Sequence, residues 1–198
     1  MTDPMNPWVS RPAFTPAPET QNPSPDVPTL SGPIAPQHGI PVPDRVDQLP
    51  TLQHPMSSEL WWVGTHGGAG ETSLAGLVPG WAAASHGWPQ VPSSTLRSRV
   101  VLVCRSNVSG LRSAQAAAQQ WAAGMVPFAD VLGLVVVADA PGRLPKPLRE
   151  LVQLVGGGVP RLWTVPWIES WRLGGSFSLP DAPRDVRQLV DDLRANLR

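Results

Sequence analysis

The stretch Leu60-Trp61-Trp62-Val63-Gly64-Thr65-His66-Gly67-Gly68-Ala69-Gly70-Glu71-Thr72-Ser73 constrains the fold more than any other part of the chain. Leu60–Val63 is a short apolar run ending in glycines, the pattern of a buried strand. Gly67, Gly68 and Gly70 permit a tight turn that bulkier residues resist. Glu71 to Leu77 reads as a short helix, stopped by Pro79. A strand, a glycine turn and a helix start in that order converge backbone N–H groups where an anion is favoured. The candidate binding residues are therefore His66, Gly67, Gly68, Ala69, Gly70, Glu71, Thr72 and Ser73.

A loop that handles nucleoside triphosphates also needs a lysine for the β/γ-phosphates and a hydroxyl for magnesium. Thr72 supplies the hydroxyl, with Ser73 behind it, but the lysine position holds Glu71. At an effective dielectric near 20, a unit charge pair about 4 Å apart is worth roughly 4 kcal/mol, so reversing one sign shifts the balance by about twice that. A carboxylate in a first helical turn is itself favourable by roughly 0.3–1 kcal/mol. Three occupants of the turn stay open: a phosphate, water, or the Glu71 side chain folded into it.

Past the turn, apolar runs alternate with helical periods. Val100–Cys104, Val131–Ala138 and Arg161–Val165 read as strands. Gly110–Ala123 reads as a helix with Leu111, Ala114, Ala118 and Trp121 on one face, and Leu144–Leu154 as another. Asp181 is placed to cap a last helix with Pro183 in its first turn and a stripe of Val186, Leu189, Val190, Leu193 and Leu197. The alternation predicts an α/β domain over residues 58–198, three-layered, around a mostly parallel sheet of about 4–5 strands. In such sheets ligands bind at the carboxyl ends of the strands. The glycine turn, Cys104–Ser109, Asp139–Gly142 and Pro166–Trp171 are expected to gather there.

Residues 1–57 follow another pattern. Of the 25 prolines, 14 precede residue 56, and the apolar residues there show no period. Such a segment buries too little surface to offset chain entropy, which predicts a disordered, Pro-rich tail. Trp8 and Phe14 are its aromatic residues and its candidate anchors for a partner.

Composition removes several function classes. Lys+Arg and Asp+Glu balance at 15 each, so charge gives a nucleic-acid partner no support. A single cysteine, Cys104, excludes an intrachain disulfide, and His38, His54, His66 and His86 lack metal-ligand spacing. Met1-Thr2-Asp3-Pro4 begins no signal peptide, and the longest apolar run falls far below the roughly 20 residues of a membrane span. The chain is read as cytoplasmic, with no membrane partner.

The order strand, His66-Gly67-Gly68-Ala69-Gly70-Glu71-Thr72-Ser73, helix resembles the deviant Walker A of the ParA/MinD group of P-loop ATPases, whose pattern is Lys-Gly-Gly-Val-Gly-Lys-Thr-Thr. His66 stands at the signature lysine, Glu71 at the Walker lysine, and Thr72 matches the magnesium-ligand threonine. The resemblance implies a reduced P-loop NTPase-like fold lacking one of the group's sheet segments. Two alignments of the later strands stay open. In one, Ala138 or Asp139 replaces an asparagine that recognises adenine; in the other, Asp139 is a Walker-B-like aspartate that joins Thr72 at magnesium. The core is also similar to an actinobacterial family of unknown function that shares the Trp61–Glu71 stretch and Pro166-Trp167-Ile168-Glu169-Ser170-Trp171-Arg172.

Further residue groups carry paired readings. Trp163, Trp167 and Trp171, with Arg161 and Arg172, form either a stacking or protein interface or ordinary packing. Arg105, Arg112, Arg143, Lys146 and Arg149 form either a basic rim near the turn or a solvated face. Cys104 is either a nucleophile beside Arg105 or a buried strand residue. Three functions follow. The leading one is a non-hydrolysing, pseudo-ATPase interaction module with a protein partner, without catalytic residues or cofactor. The second is a nucleotide-binding switch or weak NTPase that takes Mg-nucleotide. The third is an accessory protein of plasmid or chromosome partitioning or of a mobile element, which adds a nucleic-acid partner.

Overall fold

Strands that are apolar on both faces need helices on both sides, and the chain supplies them in alternation. The computed structural model describes residues 31–92, 94–174 and 178–198. Its strands are β1 (Thr51–Gln53), β2 (Leu60–Gly64), β3 (Trp81–Ala83), β4 (Trp88–Gln90), β5 (Ser98–Arg105), β6 (Ala129–Val137) and β7 (Leu162–Val165). The helices are α1 (Glu71–Ala75), α2 (Val108–Ala122), α3 (Lys146–Gly156), α4 (Glu169–Arg172) and α5 (Arg184–Leu197). Five strands form one parallel sheet in the order β3-β2-β5-β6-β7. Numbered within the sheet this is 2-1-3-4-5, a doubly wound order whose direction reverses between β2 and β5. The expected α/β architecture is present, and β3 is the fifth strand, too short to read from periodicity. Among the described residues, no helix is long and apolar enough to cross a membrane.

The sheet separates two cores. Val100, Leu102 and Cys104 of β5 face Leu111, Ala114 and Trp121 of α2 and Val152 and Val155 of α3. Val101 and Val103 face the opposite way, toward Leu74 of α1 and Val186, Leu189, Val190 and Leu193 of α5. Asn107 caps α2 by accepting the Gly110 N–H at 2.8 Å. The expected Asp181 cap on α5 is not made. Pro183 occupies the cap position, and Asp181 instead accepts a hydrogen bond from the Ser178 hydroxyl.

The Pro-rich segment divides in two. Residues 1–30, with Trp8 and Phe14, lie outside the described residues. From Ser31 to Ser57 the chain is laid along the domain, a difference from the expected tail. The Gln37 N–H donates to the Ala122 carbonyl at 2.9 Å. Ile40 and Leu49 pack against the α2–α3 core. β1 pairs in parallel with β4 as a separate ribbon. Gln120 of α2, 4% exposed, joins these parts: its side chain accepts the Leu49 N–H at 3.0 Å and the Trp88 Nε1–H at 2.9 Å, and donates to the Leu49 carbonyl. Prolines hide this strap from a sequence reading, because its bonds are long-range and have no period.

Replacing Gln120 by leucine strands those groups inside the protein, at about 1–3 kcal/mol for each unsatisfied buried partner. Gln120→Leu is expected to lower the urea midpoint accordingly, while Gln119→Leu, on the same helix, changes it little.

Candidate functional site

The glycine turn leaves β2 at Gly64 and enters α1 at Glu71. β3 ends at Ala83, opposite Trp62, so the Gly64 N–H lies beyond the reach of that neighbouring strand. Glu71 supplies the missing acceptor. Its Oε2 accepts the Gly64 N–H at 2.6 Å, and the residue is 4% exposed. The chain after β3 then turns through Ser85 and His86, both in the left-handed region at φ 59° and 60°, a conformation uncommon outside glycine. That turn brings the His86 N–H to 3.4 Å from Glu71 Oε2 and His86 Nδ1 to 3.1 Å from Oε1. A buried carboxylate is tolerated when donors surround it. Glu71 thus ties the end of β2, the start of α1 and the β3–β4 loop together. The Glu71 side chain is therefore folded into the base of the turn.

His66 also faces the protein. Its Nε2 accepts the Arg105 N–H at 3.0 Å, and Nδ1 lies 2.9 Å from the Gly67 carbonyl. With Nε2 accepting, the proton of neutral His66 sits on Nδ1 and is donated to Gly67. Gly110 makes room for this contact, since a Cβ there would lie 2.6 Å from the Arg105 carbonyl oxygen and 2.8 Å from His66 Nε2. Arg105 closes the arrangement: Nε donates to the Gly68 carbonyl at 2.9 Å and a terminal nitrogen to the Ala138 carbonyl at 3.2 Å. Burial pulls its guanidinium below the ordinary arginine range, Arg172 adds repulsion, and Asp139 acts in the opposite direction.

The segments expected at the carboxyl ends of the strands do gather there. Gly67 and Gly68 are exposed, Ala69 is buried, and Gly70 is left-handed at φ 109°. Thr72 is exposed on α1. Ser73 lines a cavity of about 160 Å³ with Gly70, Arg105, Trp167, Trp171 and Arg172. Asp139 accepts from the Asn107 amide at 3.1 Å, and its N–H donates to the Ser106 hydroxyl. It lines a separate cavity of about 750 Å³ between β6, α3 and β7. Thr72 lines neither cavity. No group of three or more His, Cys, Asp or Glu side chains suited to a metal occurs among the described residues.

The remaining candidates separate by position. Trp163 is a core residue whose Nε1–H donates to Asp192 of α5 at 3.2 Å. Trp167 and Trp171 flank the smaller cavity, and the Arg172 guanidinium lies 5.1 Å from the Trp167 ring centre. Arg161 precedes β7, at the far end of that strand. Of the basic set only Arg105 touches the glycine turn; Arg143 and Arg149 line the larger cavity, and Lys146 pairs with Glu150 on α3. Cys104 is fully buried, and burial pushes its thiol up to about 12, so the packing reading holds. Sequence reasoning did not find His86 as a partner of the turn, and it offered Arg105 only as one of five basic residues. His86 follows the turn at a distance with no motif spacing, and only the left-handed loop brings it back.

Two outcomes follow. Glu71→Gln keeps an acceptor for Gly64 and is expected to cost about 1–3 kcal/mol, whereas Glu71→Lys places an ammonium against a buried N–H donor and is expected to cost about 3–5 kcal/mol. Urea unfolding of both variants decides; a Glu71→Lys protein as stable as the parent would refute the latch. Cys104 is expected to resist iodoacetamide at pH 8 in the native protein and to react fully in urea. Because its folded pKa lies above the ordinary 9.0, its stabilising contribution is complete below pH 9 and is lost as pH rises through about 12.

No curated protein and no solved structure matches the chain. One family model, described as a family of unknown function, covers residues 58–190, from the strand before the glycine turn into the last helix. That span holds the whole five-stranded sheet and every residue of the turn, and the chain belongs to this family, DUF6668.

Proposed function

We propose that this chain is a P-loop-like domain that does not hydrolyse nucleotides and works as an interaction module for a protein partner. The observation that carries the reading is the inward Glu71 carboxylate, which accepts from Gly64 and pairs with His86. A triphosphate in the usual pose meets negative charge at the lysine position and no cation from His66, whose ring is engaged with Arg105. Thr72 lines neither the cavity that holds Asp139 nor the one that holds Arg105, which gives a magnesium site shared by Thr72 and Asp139 no support. α1 spans only Glu71–Ala75, too short for its dipole to compensate. Trp167, Trp171 and Arg172, with the exposed Leu173, offer the residue types enriched at protein interfaces.

A second reading rests on Arg105 and Arg172, which line one cavity beside Gly70 and Ser73. In it a small anion or nucleotide phosphate binds outside the usual cradle, with arginine in place of lysine. Titration calorimetry with Mg-ATP and Mg-GTP separates the two. The first reading expects no heat of binding at millimolar ligand. Submicromolar affinity would overturn it, and weak binding abolished by Arg105→Ala would favour the second.

A further inference from the structure

We propose that the free edge of β7 takes an extended segment of a partner protein as a sixth strand, one that alternates apolar and basic side chains. β6 occupies one side of β7: the Leu134 N–H donates to the Arg161 carbonyl and the Ala138 N–H to the Val165 carbonyl. Hydrogen-bonding groups alternate sides along a strand, so the N–H and C=O of Leu162 and Thr164 face away from β6. Among the described residues no strand pairs with them. Both ends of this stretch are defined. Below it the Ser31 N–H already donates to the Pro160 carbonyl at 2.9 Å; above it Pro166 has no N–H to offer. A segment running antiparallel to β7 exchanges both N–H···O=C bonds with Leu162 and both with Thr164.

The two flanks of the edge differ in chemistry. Leu162 packs against the core shared with α2 and α3, whereas Trp163 and Val165 belong to the core over α5. Side chains of the added strand that lie opposite Leu162 and Thr164 therefore point to the α3 side. There the cavity of about 750 Å³ presents Leu148 and Val152 beside the exposed Thr164, a place for an apolar side chain. Arg149, whose guanidinium donates to the Leu144 carbonyl at 2.9 Å, lines the same wall and disfavours a cation there.

The intervening side chains point to the α5 side, which is acidic. Asp185, Gln188 and Asp192 are three and four residues apart and share one side of α5. Two contacts turn that side to β7: Asp185 lines the cavity with Thr164, and Asp192 accepts the Trp163 Nε1–H at 3.2 Å. Asp185 is exposed, and neither carboxylate is in an ion pair among the described residues. A lysine or arginine at the α5-facing positions of the added strand answers both. The bare backbone groups thus select a strand, Leu148 and Val152 its apolar positions, and Asp185 and Asp192 its basic ones. This inference rests on the reading of the chain as a module for a protein partner, and it places that partner on a face other than Trp167–Leu173.

The test uses the full chain and, as probe, the end-capped peptide Lys-Val-Lys-Val-Lys, whose valines fall opposite Thr164 and Leu162. Hydrogen exchange by NMR reads the edge. Saturating peptide is expected to slow the Leu162 and Thr164 amides at least ten-fold and to leave Trp163 and Val165, whose N–H groups face β6, unchanged. Methylating the amide nitrogens of both valines, changing the lysines to glutamates, or Asp185→Lys in the protein should each weaken binding at least ten-fold. Asp191→Lys, on another side of α5, should change it little. A peptide that leaves the two amides unprotected would overturn the proposal. So would equal binding of the N-methylated or acidic peptide, or insensitivity to Asp185→Lys. Leu162 and Thr164 amides already protected in the free protein would also overturn it, assigning the edge to the chain itself or, where protection grows with concentration, to a second copy. Titration calorimetry with Mg-nucleotide reports on the proposed function alone, so the two readings fail separately.

Discussion

The contact on which the rest of the site depends is the Glu71 carboxylate against the Gly64 N–H and the His86 ring. A buried carboxylate is costly unless donors replace its lost water. Here three donors do so, two from the backbone and one from a ring. Their convergence sets the path of three segments at once: the end of β2, the first turn of α1 and the left-handed corner after β3. Once Glu71 is directed inward, Thr72 faces solvent and the glycine turn is stretched across toward β5. His66 and Arg105 then fasten its outer rim to the ends of β5 and β6.

Seen from the sheet, this latch sits between the ends of β2 and β3, next to the reversal point between β2 and β5 where doubly wound domains place their ligands. At the reversal point His66 accepts the Arg105 N–H, and the Arg105 side chain donates to the Gly68 carbonyl. The open spaces lie to the side, one among Arg105, Trp167 and Arg172 and a larger one between α3 and β7. The strap from Ser31 to Ser57 reinforces the opposite end and the α2 face, through Gln120, Trp88 and the β1–β4 ribbon.

Much of the fold is legible in the chain itself. The long strands β5 and β6 announce themselves by β-branched runs, and α2 and α5 by stripes that recur at helical spacing. The short pieces do not. β1, β3 and β4 are three residues each, below the length at which alternation carries a signal. The strap is dense in proline, and its order comes from single long-range bonds, such as Leu49 with Gln120, that leave no local pattern. At the turn, the glycines and the charge reversal at Glu71 stand out at once. His86 does not, and nothing local separates Arg105 from the other basic residues.

Taken alone, the sequence determined the alternation of strands and helices, the two-faced burial of the sheet, the glycine turn at the head of a helix, and the absence of lysine from it. All of these are local properties, written in neighbouring residues through periodicity, propensity and charge. Only the tertiary structure decided what Glu71 does with its charge, which histidine answers it, and which of the basic residues reaches the turn. It also decided that residues 31–57 pack on the domain. Each of these depends on partners far apart in the chain, and a buried charge is settled by whichever donors the fold brings within about 3 Å.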